Sequence, residues 1–224
     1  MKRACFAAAI AAIVWSSAAS AESGGVHSDL GLEGGVMRRV LTSHPAGDAG
    51  FGPVVELHGH VAVLPMLRAG VYFSTDLSPQ SGTPSYPTRH MYSGGLRAKI
   101  TPPLLRTDTI TTWIFTGLGY TYAYGPSFPL DLTVLNGGTV HGFFDGASGH
   151  FFEIPLGVGA AWTVRKPWQL FSELGLRYGF GHGGDLYDLR TGRASGVGAP
   201  DLSIDPRGYD SFAFFLTVGV GLDL

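Results

Sequence analysis

The segment "VELHGHV" places Glu56, His58 and His60 at alternate positions. Two imidazoles and a carboxylate are ligand types for a zinc-class ion. On one β-strand, however, alternate side chains stand about 7 Å apart. A shared ion would therefore need help from another strand, and no fourth ligand follows at a recognisable spacing. The expectation is a hydrogen-bonding role for these residues, with no metal and no cofactor.

A second cluster, "HGFFDGASGHFFE", supplies His141, Asp145, Ser148, His150 and Glu153. These are the residue types of a nucleophile, its base and an orienting acid, which must touch one another to work. A Gly- and His-rich segment brings such neighbours together by chance, so the chain is expected not to be an enzyme. Acyl hydrolysis or transfer stays as an alternative. Farther on, Asp185, Asp188, Asp201 and Asp205 are irregularly spaced and read as solvated loop acids rather than cation ligands.

The elements that position these residues begin after a leader. Met1-Lys2-Arg3 is basic, Ala4 to Trp15 is apolar, and Ala19-Ser20-Ala21 is a small-x-small site. The pattern is that of a secretory signal peptide over 1–21, cleaved between Ala21 and Glu22. The one cysteine, Cys5, leaves with it, so residues 22–224 carry no thiol chemistry. The remaining 13 bases and 17 acids give −4, which offers nothing to nucleic acid. With 34 glycines and no further apolar run of membrane-helix length, residues 22–224 read as one all-β domain.

Period-two alternation picks out eight strands, near 28–40, 52–63, 66–76, 90–101, 109–124, 150–164, 168–180 and 209–224. Short connections such as "VLPM" and "VRKPW" alternate with long ones, near 125–149 and 181–208 among them. A transmembrane barrel has that asymmetry, with short periplasmic turns and long outer loops. The even count puts both termini on the periplasmic side.

The two faces choose the solvent. In "WQLFSELGLRYGF" Trp168, Leu170, Leu174 and Leu176 oppose Gln169, Glu173, Gly175 and Arg177. "FFLTVGVGLDL" sets Phe214, Leu216, Val218 and Val220 against Thr217, Gly219, Gly221 and Asp223. Small and charged residues share one face, as the narrow inside of a barrel requires. The large apolar residues then meet lipid, and closure leaves no unpaired strand edge there. Phe73, Tyr92, Tyr120, Tyr122, Tyr124, Phe152, Tyr178, Phe180, Phe212 and Phe214 fall near outer strand ends, and Trp162 and Trp168 flank a turn, as interfacial girdles do.

Phased in this way, Glu33, Glu56, Glu153, Glu173 and Asp223 share the lumen with Arg39, Arg68, Arg97, Lys99 and Arg177. Equal numbers suit ion pairs that fill the barrel better than a selective pore. Arg68, Arg97 and Lys99 are expected to face Glu173 and Glu33, with His58 and His60 in the same network.

The leader, the eight strands, "GFGPVVELHGHVAVLPMLRAGVYFS", "HFFEIPLGVGAAW" and the alternating last strand together resemble the small outer-membrane β-barrel superfamily. That group includes the OmpA transmembrane domain and the OmpX- and OmpW-like proteins. The resemblance implies an integral protein of the bacterial outer membrane, in contact with its lipid and lipopolysaccharide. It also implies a last strand read by the barrel-assembly machinery, although Leu224 stands where the family usually ends on an aromatic residue. A structural or surface-interaction role, with an unidentified loop ligand, is expected. The alternatives are an OmpW-like conduit for small or partly apolar molecules and lipid A modification. The deacylase pattern sets His two residues before Ser, whereas here Ser148 precedes His150.

Overall fold

The computed structural model describes residues 28–41, 50–78, 88–102, 107, 109–126, 128–133, 139–144, 147–184, 192–195 and 211–224; at 41, 128–133, 139–144, 147, 192–195 and 211 only the backbone is described. The proposed leader with its Ala21–Glu22 cleavage site, the loop acids Asp185, Asp188, Asp201 and Asp205, and the side chains of His141 and Asp145 lie outside the described residues.

The strands are β1 (Ser28–Leu41), β2 (Phe51–Leu64), β3 (Leu67–Ser78), β4 (Arg89–Ile100), β5 (Ile110–Gly125), β6 (Phe128–Thr133), β7 (Thr139–Phe144), β8 (Ala147–Arg165), β9 (Trp168–Gly184), β10 (Gly192–Ser195) and β11 (Ser211–Asp223). Eight of them close into an antiparallel barrel in the ring order β1-β11-β9-β8-β5-β4-β3-β2. First and last strands meet in a continuous ladder from Asp29–Asp223 to Leu41–Ser211. Beyond it Ser28 and Leu224 exchange backbone hydrogen bonds at 2.9 and 2.8 Å. Both ends of the described barrel therefore lie beside the short β2–β3, β4–β5 and β8–β9 turns. The longer connections share the opposite, loop end.

The alternation dictates which side each residue takes. In β11 Phe214, Leu216, Val218 and Val220 are exposed on the outer surface, while Ala213, Phe215 and Thr217 are buried. Leu96, Ile114, Leu118, Leu156, Val158 and Leu174 extend the apolar surface around the barrel. In water so much exposed hydrocarbon would be costly; in lipid it is the required coat. One ladder lapses. Pairing between β5 and β8 skips from Thr116–Leu156 to Gly119–Glu153, where Pro155 has no N–H to give.

Toward the loop end aromatic rings form a connected girdle. Tyr120 meets Phe152 at 5.7 Å, Phe152 meets Phe180 at 5.8 Å, Phe180 meets Tyr178 at 6.1 Å, and Tyr178 meets Phe212 at 5.1 Å. Trp162 and Trp168 stand exposed at the turn end.

Two segments read as loops contain strands. β6 and β7 pair from Phe128–Phe144 to Thr133–Thr139, and β10 joins β7, making a three-stranded sheet of order β10-β7-β6. Asn136-Gly137 lies between β6 and β7 in the sequence. That dipeptide is a strong hairpin signal, which the emphasis on long loops passed over.

Candidate functional site

The inside of the barrel holds the charges. Glu33, Arg39, Glu56, His58, His60, Arg97, Lys99, Glu153, Glu173 and Arg177 are all buried there. Arg68 and Asp223 sit partly open at the turn end, their side chains 22% and 29% exposed. Asp29 and Asp76 also face inward, in addition to the ten charges that strand phase assigns to the lumen. At Asp76 the cue is weak, because Thr75 on the opposite face is polar as well and Leu77 alone carries the contrast.

These groups form a chain of alternating sign along the barrel axis. Near the loop end Arg39 grips both oxygens of Asp76, Nε to Oδ1 at 3.1 Å and Nη2 to Oδ2 at 2.8 Å. It also donates to Glu153 Oε1 at 2.7 Å. Glu153 passes to Arg177 at 3.4 Å, which bonds Glu56 Oε2 at 2.6 Å and Ser74 Oγ at 2.8 Å. Arg97 joins Glu56, at 2.5 Å, to Glu173. Trp113 Nε1 donates to the other Glu173 oxygen at 3.0 Å. At the turn end Lys99 lies 4.0 Å from Glu173 and 3.4 Å from Asp29, and Arg68 links Asp29, at 2.8 Å, to Asp223, at 3.0 Å.

The expected partners are thus met in part. Arg97 and Lys99 do face Glu173. Arg68 does not face Glu173 or Glu33; it is the second residue of β3 and pairs with the acids at the same end, Asp29 and Asp223. Each of Arg39, Arg97 and Arg177 connects strands on different sides of the ring, so the pairs cross the lumen. Charges withdrawn from water this far are tolerated only when paired and hydrogen-bonded.

Aromatic rings fill what the ion pairs leave. The Arg97 guanidinium lies 3.8 Å from the Phe115 ring centre, Lys99 Nζ lies 4.8 Å from that of Trp113, and Arg177 sits between Tyr72 and Phe215 at 5.5 and 5.4 Å. Such contacts add cation–π attraction to the pairing. They also explain the small residues on this face. A Cβ at Gly159 would overlap the Trp113 indole, and one at Gly157 the Phe115 ring. At these two glycines a ring from the neighbouring strand lies down.

Glu56, His58 and His60 share the lumen face of β2, as alternation demands. His60 Nδ1 is engaged by Asp29 Oδ1 at 2.7 Å. His58 has Lys99 Nζ at 3.3 Å from Nε2, and its Nδ1 points between Glu33 and Glu56. The spacing along β2 left too few ligands for an ion, but β1 supplies Glu33, directly across from Glu56.

The hydrolase cluster is divided. Ser148 and His150 lie on the outer surface of β8, where His150 stacks on Tyr120 at 5.7 Å. Glu153 has the opposite phase and is fully buried against Arg39 and Arg177. It cannot orient His150.

No protein-family model matches the chain, and no curated protein sequence matches it. Solved structures do. Neisserial surface protein A aligns over 88% of this chain and 97% of its own, at 15% identity and a TM-score of 0.50. A major outer membrane protein from Thermus thermophilus covers the same 88%, and 99% of its own length, at 15% identity and a TM-score of 0.49. Ail, the attachment invasion locus protein of Yersinia pestis, gives 89% and 99%, at 7% identity and 0.49. The chain shares with Neisserial surface protein A the fold of a small antiparallel β-barrel, here of eight strands.

Proposed function

We propose that the protein is a non-enzymatic, non-conducting barrel of the bacterial outer membrane, serving as an envelope component that presents loops outside the cell. The observation that supports this is the unbroken series of ion pairs from Asp76 to Asp223. An ion entering the lumen would have to separate buried partners at several depths, each separation costing about 3–5 kcal/mol. A selective pore instead lines its path with one sign of charge.

In this reading the leader ends at Ala21 and the mature chain begins at Glu22. The barrel-assembly machinery inserts the chain through β11. The termini and short turns face the periplasm, lipopolysaccharide packs against the outer girdle, and the loops meet a ligand outside. Planar-bilayer recording of the refolded mature chain tests the lumen directly. The expected result is a baseline without unitary current steps. Steady openings would instead support the conduit reading. Fatty-acid release on incubation with lipopolysaccharide would support the enzymatic one.

A further inference from the structure

Glu33 and Glu56 face each other across the β1–β2 ladder, both buried. Like charges directly opposite repel. Glu56 is answered by Arg97 and Arg177. Glu33 is not. Among the described residues it is the one lumen carboxylate without an Arg or Lys in ion-pair contact. Thr217 Oγ1 donates to its Oε2 at 2.5 Å, while its Oε1 has no hydrogen-bond partner.

His58 Nδ1 is aimed at this place and is likewise buried without a hydrogen bond. It lies 3.6 Å from Glu33 Oε1 and 3.8 Å from Glu56 Oε1. Those gaps exceed hydrogen-bond length. They are close to the separation of two ligands on one ion: bonds of about 2.0–2.2 Å in a tetrahedron set ligand atoms roughly 3.3–3.6 Å apart. One ligand atom from each of Glu33, Glu56 and His58 lies within 4.8 Å of the other two.

We propose that Glu33 Oε1, Glu56 Oε1 and His58 Nδ1 hold a divalent first-row transition-metal ion of the zinc class inside the barrel. One imidazole and two carboxylates suit such an ion, and the ion supplies the positive charge that Glu33 lacks. Glu56 Oε1 has a lone pair to spare beyond its Arg97 bond. Gly31 leaves the imidazole its room, since a Cβ there would overlap the His58 ring. With Nδ1 on the metal, Nε2 carries the ring hydrogen. Lys99 then turns from it to Asp29 and Glu173, already 3.4 and 4.0 Å away. A cavity of roughly 350 Å³ at the turn end reaches His58, Asp29 and Lys99. It opens onto the His58 ring, while Glu33 and Glu56 lie beyond its lining. The neighbouring trio Asp29, His58 and His60 is a poorer site, because Asp29 and His60 already satisfy each other at 2.7 Å.

The site is independent of whether the barrel conducts. Its test uses the mature chain refolded in detergent, with folding judged by the gel-mobility difference between heated and unheated samples. Cobalt(II) is added during refolding in one sample and afterwards in another. The expected result is one cobalt per chain after desalting, with visible ligand-field bands that zinc abolishes and calcium does not. Folded Glu33→Gln and His58→Gln chains should bind at least roughly tenfold more weakly, since even indirect losses weaken metal sites about 10–100-fold. Folded wild-type chain without bound cobalt in either sample would overturn the proposal. So would equal binding by folded His58→Gln, or displacement by calcium. Should neither variant fold, the wild-type stoichiometry and spectrum decide alone.

Discussion

Replacing Arg39 by Met isolates one link of the lumen chain. Arg39 makes both contacts to Asp76, at 3.1 and 2.8 Å, and one to Glu153, at 2.7 Å. Glu153 retains Arg177 at 3.4 Å. Asp76 has no second Arg or Lys among the described residues and is only 2% exposed. The substitution therefore strands one buried carboxylate, a loss of about 3–5 kcal/mol. Asp76→Asn should cost less, about 1.5–3 kcal/mol, because Arg39 keeps Glu153 and loses only a charge-assisted bond. In the double variant the stranded charge is gone, so its loss should fall short of the sum of the two single losses by at least about 1.5 kcal/mol. Urea unfolding from lipid vesicles, followed by tryptophan emission and by gel mobility, measures all three. If Arg39→Met costs under about 1 kcal/mol, or the double variant is additive, the ion pairs do not hold the lumen together as described.

Val218, 64% exposed near the middle of β11, reports on the outer surface. Val218→Arg should destabilise the vesicle-inserted barrel by about 2–4 kcal/mol, whereas a soluble sandwich would tolerate it. Gly159→Ala should push the Trp113 indole off Glu173, at an overpacking cost of about 1–3 kcal/mol; the shifted emission of that tryptophan is the readout. Bilayer recording of the wild-type chain should show no unitary steps, and cobalt should bind one to one.

The strands were legible because a barrel wall separates two solvents, and that contrast is written at every second residue. Glu153 and Ile154, or Glu173 and Leu174, could not share a side. Phase therefore assigned Glu33, Glu56, Glu153, Glu173 and Arg177 to the lumen before their partners were known. Partner choice was not legible. Strand position along the axis selects it, which is why Arg68 pairs with Asp29 and Asp223 rather than Glu173. Phase also failed to reveal how much aromatic material lies inside. Phe115 and Trp113 occupy inner positions because glycines on β8 give them space, a complementarity between strands that no single strand shows. Alternation says nothing about orphaned atoms either. Glu33 and His58 look like any other network members until their distances are measured.

Arg68 bridges Asp29 on the first strand and Asp223 on the last. It acts as a clasp that only the completed cylinder can fasten. Before closure the pairs that join the first four barrel strands to the last four cannot form, as with Arg177 and Glu56, 121 residues apart, or Arg39 and Glu153. A half-finished wall would expose those charges to hydrocarbon. Insertion should therefore be all-or-none, with no stable resting place at four or six strands.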